Sequence, residues 1–132
     1  MAAVAAAAAA DAVVLVVGTN LEWETEGRDR ESMDLPGGQP ELIRRVCAAN
    51  GRTVVVVNSG SVVTSDWAEV APAVLQTWFG GQEMADALVD VLVGDDEPSG
   101  RLPTTMPHRL EDTPAFLSYP GENGRVVYSE GL

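Results

Sequence analysis

The sequence predicts an α/β fold built on a mostly parallel sheet. Two short, continuous β-branched runs, VVLVV at 13–17 and TVVVV at 53–57, are separated by Leu42, Ile43, Val46 and Cys47 at helical spacing. A second helical spacing follows at Met84, Ala87, Leu88, Val91 and Leu92. Unbroken apolar runs of this length suit strands buried on both faces, as parallel sheets require. Strand, helix and strand within about 45 residues make a βαβ unit, whose crossover is almost always right-handed.

Taken in order, the alanine tract before Asp11 predicts a helix over roughly residues 2–10, because alanine is the best helix former. No basic residue precedes it, so it is read as structure rather than an export signal, and the cytoplasm is the expected location if Met1 is the natural start. Val13 to Val17 is the first strand, ended by Gly18. Residues 19–38 carry polar groups, Pro36 and Gly37-Gly38, and form a long loop. Loops of that length in a compact domain usually serve function or stay disordered. Pro40 suits the first turn of the next helix, which Asn50-Gly51 stops. Thr53 to Val57 is the second strand, and Ala73 to Trp78 a third. Beyond the helix at 84–92, five prolines between 98 and 120 forbid a long helix, and Arg125 to Tyr128 reads as a short edge strand.

Composition narrows the function. Eight basic against twenty acidic residues give a formal net charge of -12, which opposes nucleic acid and anionic membrane surfaces as partners. No apolar run approaches the ~20 residues needed to span a bilayer. The single cysteine, Cys47, cannot form an internal disulfide. The 132 residues bound one domain with a modest core. Trp67, Trp78 and Cys47 are expected to pack, and His108 to be a surface residue.

The chemistry concentrates in EWETEGRDR at 22–30, which crowds Glu22, Glu24, Glu26 and Asp29 around Arg28 and Arg30. This loop leaves the carboxyl end of a strand, where open parallel sheets bind ligands. A solvated charged face is the simplest reading. An EF-hand fails because Met33 stands where the bidentate glutamate is needed and the arginines bring positive charge, so no metal is expected. Neither a dinucleotide fingerprint nor a P-loop is present, and Ser59 and Ser61 lack the nucleophile-elbow pattern, so no cofactor is expected. General acid/base work by a loop carboxyl remains. Crowding of like charges raises the pKa of at least one of them, as a glycosidase acid requires, but no partner nucleophile is evident.

The ordered set DAVVLVVG, EWETEGRDR with LPGGQPELI, VVVVNSGSVV, WFGGQEMADALVDVLVGDDEPSGRLPTTMP and RVVYSEG resembles the second, α/β sandwich domain of glycoside hydrolase family 3. That resemblance covers nearly the whole chain and implies a three-layer α/β sandwich, incomplete at its N-terminal side. It also implies a separate (β/α)8 barrel, absent from residues 1–132, that carries an aspartate nucleophile and most sugar contacts. The sandwich domain lends a glutamate acid/base to a retaining double displacement on β-glucosides or β-xylosides. Position assigns that role to Glu26, with Glu24 as the alternative, since the motif varies by two residues. The same resemblance implies that Trp23 lines the sugar site and that Asp29 and Arg30 pair to shape the loop. The Ser65-Asp66-Trp67 triplet is not taken as the nucleophile motif. Expected partners are a β-glycoside and the barrel, and the chain alone is expected to be inactive and to represent part of a larger gene product. The alternative is a non-catalytic interaction module that pairs with another polypeptide.

Overall fold

Alanines with almost no polar interruption do form the first helix, α1 (Ala2–Ala9), in the computed structural model, which describes residues 2–128. Strand β1 (Val13–Gly18), helix α2 (Gln39–Ala49), strands β2 (Thr53–Asn58) and β3 (Ala73–Gln76), and helix α3 (Met84–Val93) follow in order. The three strands pair in parallel in the order β1-β2-β3. The predicted α/β class and parallel sheet are therefore observed.

Register decides what each face carries. Leu15, Val55 and Val74 lie abreast, as do Val17, Val57 and Gln76, so the three strands present these residues to one side. Helix α2 covers that side with Ile43 and Cys47, and a 3-10 turn at Asp66–Val70 adds Trp67, closing a core that also holds Leu35 and Val63. Each large apolar side chain buried there contributes about 1.5–3 kcal/mol. Trp67 is fully packed, and its indole N–H donates to the Thr64 carbonyl at 2.8 Å.

The opposite side carries Val14, Val16, Val54, Val56 and Leu75. Here the expectation of strands buried on both faces holds for β2 alone. Val14 and Val16 of β1 are 52% and 60% exposed, because nothing among the described residues covers this face of the strand. Helix α3 lies by Leu75 across a cavity of about 400 Å³ shared with Met84, Ala87, Leu88 and Val91. None of its residues is buried, so it packs less than its apolar spacing predicts.

Helix ends follow local chemistry. Gly94 adopts the left-handed conformation (φ 87°) after α3 and its N–H donates to the carbonyls of Asp90 and Val91, a glycine stop of the usual kind. The α2 helix ends differently. Asn50 is extended, and its side-chain amide donates to the carbonyls of Ala7 and Ala10, which ties the end of α1 to the end of α2.

Two predicted elements differ. The third strand stops at Gln76, and Trp78 takes a positive φ of 56°, which turns the chain away from the ladder. The edge strand expected at 125–128 does not form. Gly121, Asn123 and Gly124 all have positive φ, so the segment makes a tight Glu122–Arg125 bridge, and Val126 to Tyr128 have no strand partner among the described residues. Residues 129–131 of the RVVYSEG stretch lie outside the described residues.

Candidate functional site

The acidic loop begins at Gly18, where the backbones of β1 and β2 leave no room for a side chain. A Cβ on Gly18 would lie 1.9 Å from the Asn58 carbonyl oxygen, so only glycine fits there. Gln39, at the start of α2, clasps this strand end. The Gly18 N–H donates to Gln39 Oε1 at 2.8 Å, and Gln39 Nε2 donates to the Gly18 carbonyl at 2.9 Å. The loop base is thereby fixed before the charged stretch starts.

Asn20 then turns the chain. Its side-chain oxygen accepts the backbone N–H groups of Glu22 (3.0 Å) and Trp23 (3.2 Å), and its carbonyl accepts those of Trp23 (3.0 Å) and Glu24 (2.8 Å). This is an Asx-type turn, a use of asparagine that local sequence favours. A second reversal follows at once. Thr25 and Arg28 form an antiparallel bridge around Glu26 and Gly27, and Gly27 has φ 80°, the conformation a type II turn requires at its third residue. The Arg28 guanidinium also donates to the Glu22 carbonyl.

These turns separate the loop carboxylates. Glu26 is exposed at the tip of the Thr25–Arg28 hairpin. Glu24 is turned inward, its side chain 13% exposed, with Oε1 at 3.8 Å from Nη1 of Arg30. Its other oxygen faces Gly60, since a Cβ there would lie 2.6 Å from Glu24 Oε2 and 2.8 Å from the Phe79 ring. Arg30 also donates to the Val62 carbonyl at 3.0 Å. The expected Asp29–Arg30 pair is therefore replaced by Glu24–Arg30, and Asp29 is exposed. Successive side chains on an extended segment point apart, so neighbours 29 and 30 are poorly placed to meet. Trp23 is half-buried, next to Glu24 in the turn.

Every buried side-chain polar atom without a hydrogen-bond partner among the described residues lies at this end of the sheet, and the Glu24 and Arg30 atoms among them face each other at ion-pair distance only. Thr19, Asn58 and Gln76 are at or just beyond the strand ends, and Trp23, Glu24 and Arg30 are on the loop. Such atoms are rare in protein interiors, and their gathering marks this edge as chemically distinct. A cleft of about 400 Å³ opens beside it, lined by Gly18, Thr19, Asn20, Pro36, Gln39 and Asn58.

Elsewhere several polar and titratable groups have structural contacts. Asp66 pairs with Arg44 at 2.7 Å on the surface, and Ser65 donates to the Pro107 carbonyl. His108 is exposed, 3.5 Å from Glu69. Cys47 is buried, and that burial pushes its thiol pKa up. Among the described residues no cluster of three or more His, Cys, Asp or Glu side chains is arranged to hold a metal, and no helix is long and apolar enough to cross a membrane.

Sequence reasoning found the loop but missed Gly60, Phe79 and the partner of Arg30. The first two lie more than thirty residues beyond Glu24, and no local spacing signals their approach. Asn20 was missed as well, although an asparagine opening a turn-rich segment is a local signal that could have found it.

The chain matches the family described as the glycosyl hydrolase family 3 C-terminal domain over residues 1–132. It is 51% identical over 127 residues to a probable beta-glucosidase I of Aspergillus terreus, a match that covers 96% of the chain and 15% of the relative. Among solved structures, a beta-glucosidase from Kluyveromyces marxianus in complex with glucose superimposes with a TM-score of 0.87 at 50% identity, covering 96% of this chain and 15% of that one. The GH3 beta-glucosidase of Bifidobacterium adolescentis gives a TM-score of 0.84 at 43% identity, over 97% of this chain and 19% of that one. The chain thus spans about 15% of the length of the curated relatives it matches.

Proposed function

Because the chain belongs to the glycosyl hydrolase family 3 C-terminal domain family, we propose that it is the second domain of a retaining β-glycosidase of the β-glucosidase or β-xylosidase type, and that Glu26 is its acid/base. The observation that carries this reading is the presentation of Glu26. It stands exposed at the tip of a hairpin that leaves the carboxyl end of β1, free to project into a site completed by another domain.

The chemistry follows from the position. A retaining glycosidase needs two carboxyl groups about 5–5.5 Å apart. One protonates the departing glycosidic oxygen while the other attacks the anomeric carbon. The first then takes a proton from water, which hydrolyses the glycosyl-enzyme. Glu26 supplies the proton and later accepts it. The attacking aspartate belongs to a barrel outside residues 1–132, so the isolated chain does not turn over glycosides. Trp23, two residues before Thr25, offers a ring to the sugar face at the hairpin's foot, and β-glycosides and the barrel are the partners of this surface.

The exposed Val14 and Val16 favour a second reading, in which the domain pairs with another polypeptide through its sheet without catalysing a reaction. Hydrolysis of aryl β-glucosides and β-xylosides separates the two. The catalytic reading expects no turnover by the chain alone, turnover when a family 3 barrel domain is added, and loss of that turnover in Glu26→Gln. Binding of the barrel without turnover supports the interaction module.

A further inference from the structure

Glu24 and Arg30 flank the Thr25–Arg28 hairpin in sequence and meet behind it in space. Their ion pair therefore closes the base of the segment that carries Glu26. Both side chains are mostly buried, at 13% and 20% exposure, where screening by salt is weak. The pair is anchored from two sides. Arg30 Nη2 donates to the Val62 carbonyl at 3.0 Å, which ties the hairpin to the segment after β2. Gly60 and Phe79 close over the carboxylate, and no side chain larger than hydrogen fits at position 60 without moving Glu24 or the ring.

Resting on the assignment of Glu26 above, we propose that Glu24 is a positioning residue whose buried carboxylate, ion-paired with Arg30 at 3.8 Å and set against Gly60, fixes the hairpin that presents the acid/base. A proton donor must reach the bond it cleaves. Glu24 faces inward, 3.8 Å from Arg30, whereas Glu26 is exposed. The clamp supplies what catalysis needs from such a hairpin, since a misplacement of about 1 Å can cost on the order of a hundredfold in rate.

The test uses the full chain, labelled for NMR, as wild type, Glu24→Gln, Arg30→Gln, Arg30→Lys and Glu26→Gln. Backbone order parameters for residues 25–28 are expected near the rigid value of about 0.85 in the wild type and Glu26→Gln, and below about 0.6 in Glu24→Gln and Arg30→Gln. Residues 53–58 should stay rigid in all, and Arg30→Lys, which keeps the charge, should restore most of the order. Glutamine nearly matches glutamate in shape, so loosening in Glu24→Gln reports the lost charge. A hairpin equally ordered in Glu24→Gln overturns the proposal.

The wild type gives a second reading, independent of whether any variant folds. The Arg30 guanidinium should show hindered rotation, with resolved Nη protons, whereas exposed Arg101 should show averaged ones. Averaged signals from Arg30 also overturn the clamp. With a barrel domain added, Glu24→Gln should lower kcat about tenfold or more with KM little changed, and azide should not restore it. Restoration by azide would make Glu24 the acid/base and sink both assignments. An intact clamp beside an indifferent Glu26→Gln would sink the Glu26 assignment alone.

Discussion

Glu24 Oε1 lies 3.8 Å from Arg30 Nη1, across the base of a hairpin whose tip is Glu26. Two carboxylates two residues apart thus hold opposite situations, one enclosed and paired, the other open. The turn at Asn20 and the left-handed Gly27 produce this division, because together they reverse the chain twice within eight residues.

Breaking the pair from its cationic side strands a mostly buried carboxylate. Arg30→Met should destabilise the domain by on the order of 3 kcal/mol. Urea denaturation followed by tryptophan fluorescence measures this, and a change under about 0.5 kcal/mol would mean that the pair is solvated.

Gly60→Ala places a methyl group 2.6 Å from Glu24 Oε2 and 2.8 Å from the Phe79 ring. Overpacking of this kind costs about 1–3 kcal/mol. Gly18→Ala should be worse, since its Cβ would meet the Asn58 carbonyl oxygen at 1.9 Å and backbone cannot step aside. The order of the two midpoints in urea is the readout.

Burial raises the Cys47 pKa, so its reactive thiolate is scarcer at neutral pH than that of an exposed cysteine. Alkylation by iodoacetamide at pH 8 should be slow in the folded chain and fast in urea. The sign of the linkage follows: keeping the thiol neutral contributes stability below the ordinary thiol pKa, and that contribution falls as pH rises through the window up to the raised value. Native Cys47 that reacts as fast as a free thiol would place it at the surface.

Val14 and Val16 expose an apolar stripe on the face of β1, which lies at the sheet edge among the described residues, and both features invite association. Replacing both by threonine keeps β-propensity while removing apolar surface. Sedimentation velocity should show weaker self-association of the double variant, with stability changed by no more than about 1 kcal/mol. Equal association would move the contact elsewhere.

The βαβ core was legible because its signals are local. Valine runs and the spacing of Ile43, Val46 and Cys47 set strands and helix directly, and Gly94 marked the end of α3. Burial was less so. VVLVV reads as a doubly buried strand, but whether its second face is covered depends on what other element packs over it, and local residues do not encode that. Glu26 and Glu24 were both visible as candidates, yet spacing could not tell the outward carboxylate from the inward one. That distinction comes from Gly60, Phe79 and Arg30, two of them brought in by the tertiary fold. The edge strand at 125–128 failed because Gly121, Asn123 and Gly124 impose turns that the apolar Val126 and Val127 do not override.

The most direct test of the divided-site account replaces Glu26 by alanine in the chain combined with a family 3 barrel domain, and follows two aryl β-glucosides with and without azide. With Glu26 as acid/base, Glu26→Ala should lose nearly all activity on a poor leaving group and keep far more on dinitrophenolate, which departs without a proton. Azide, attacking the glycosyl-enzyme without needing a base, should then accelerate turnover and yield β-glucosyl azide. Equal losses on both substrates, with no glucosyl azide formed, would contradict the account and remove Glu26 from the proton transfer.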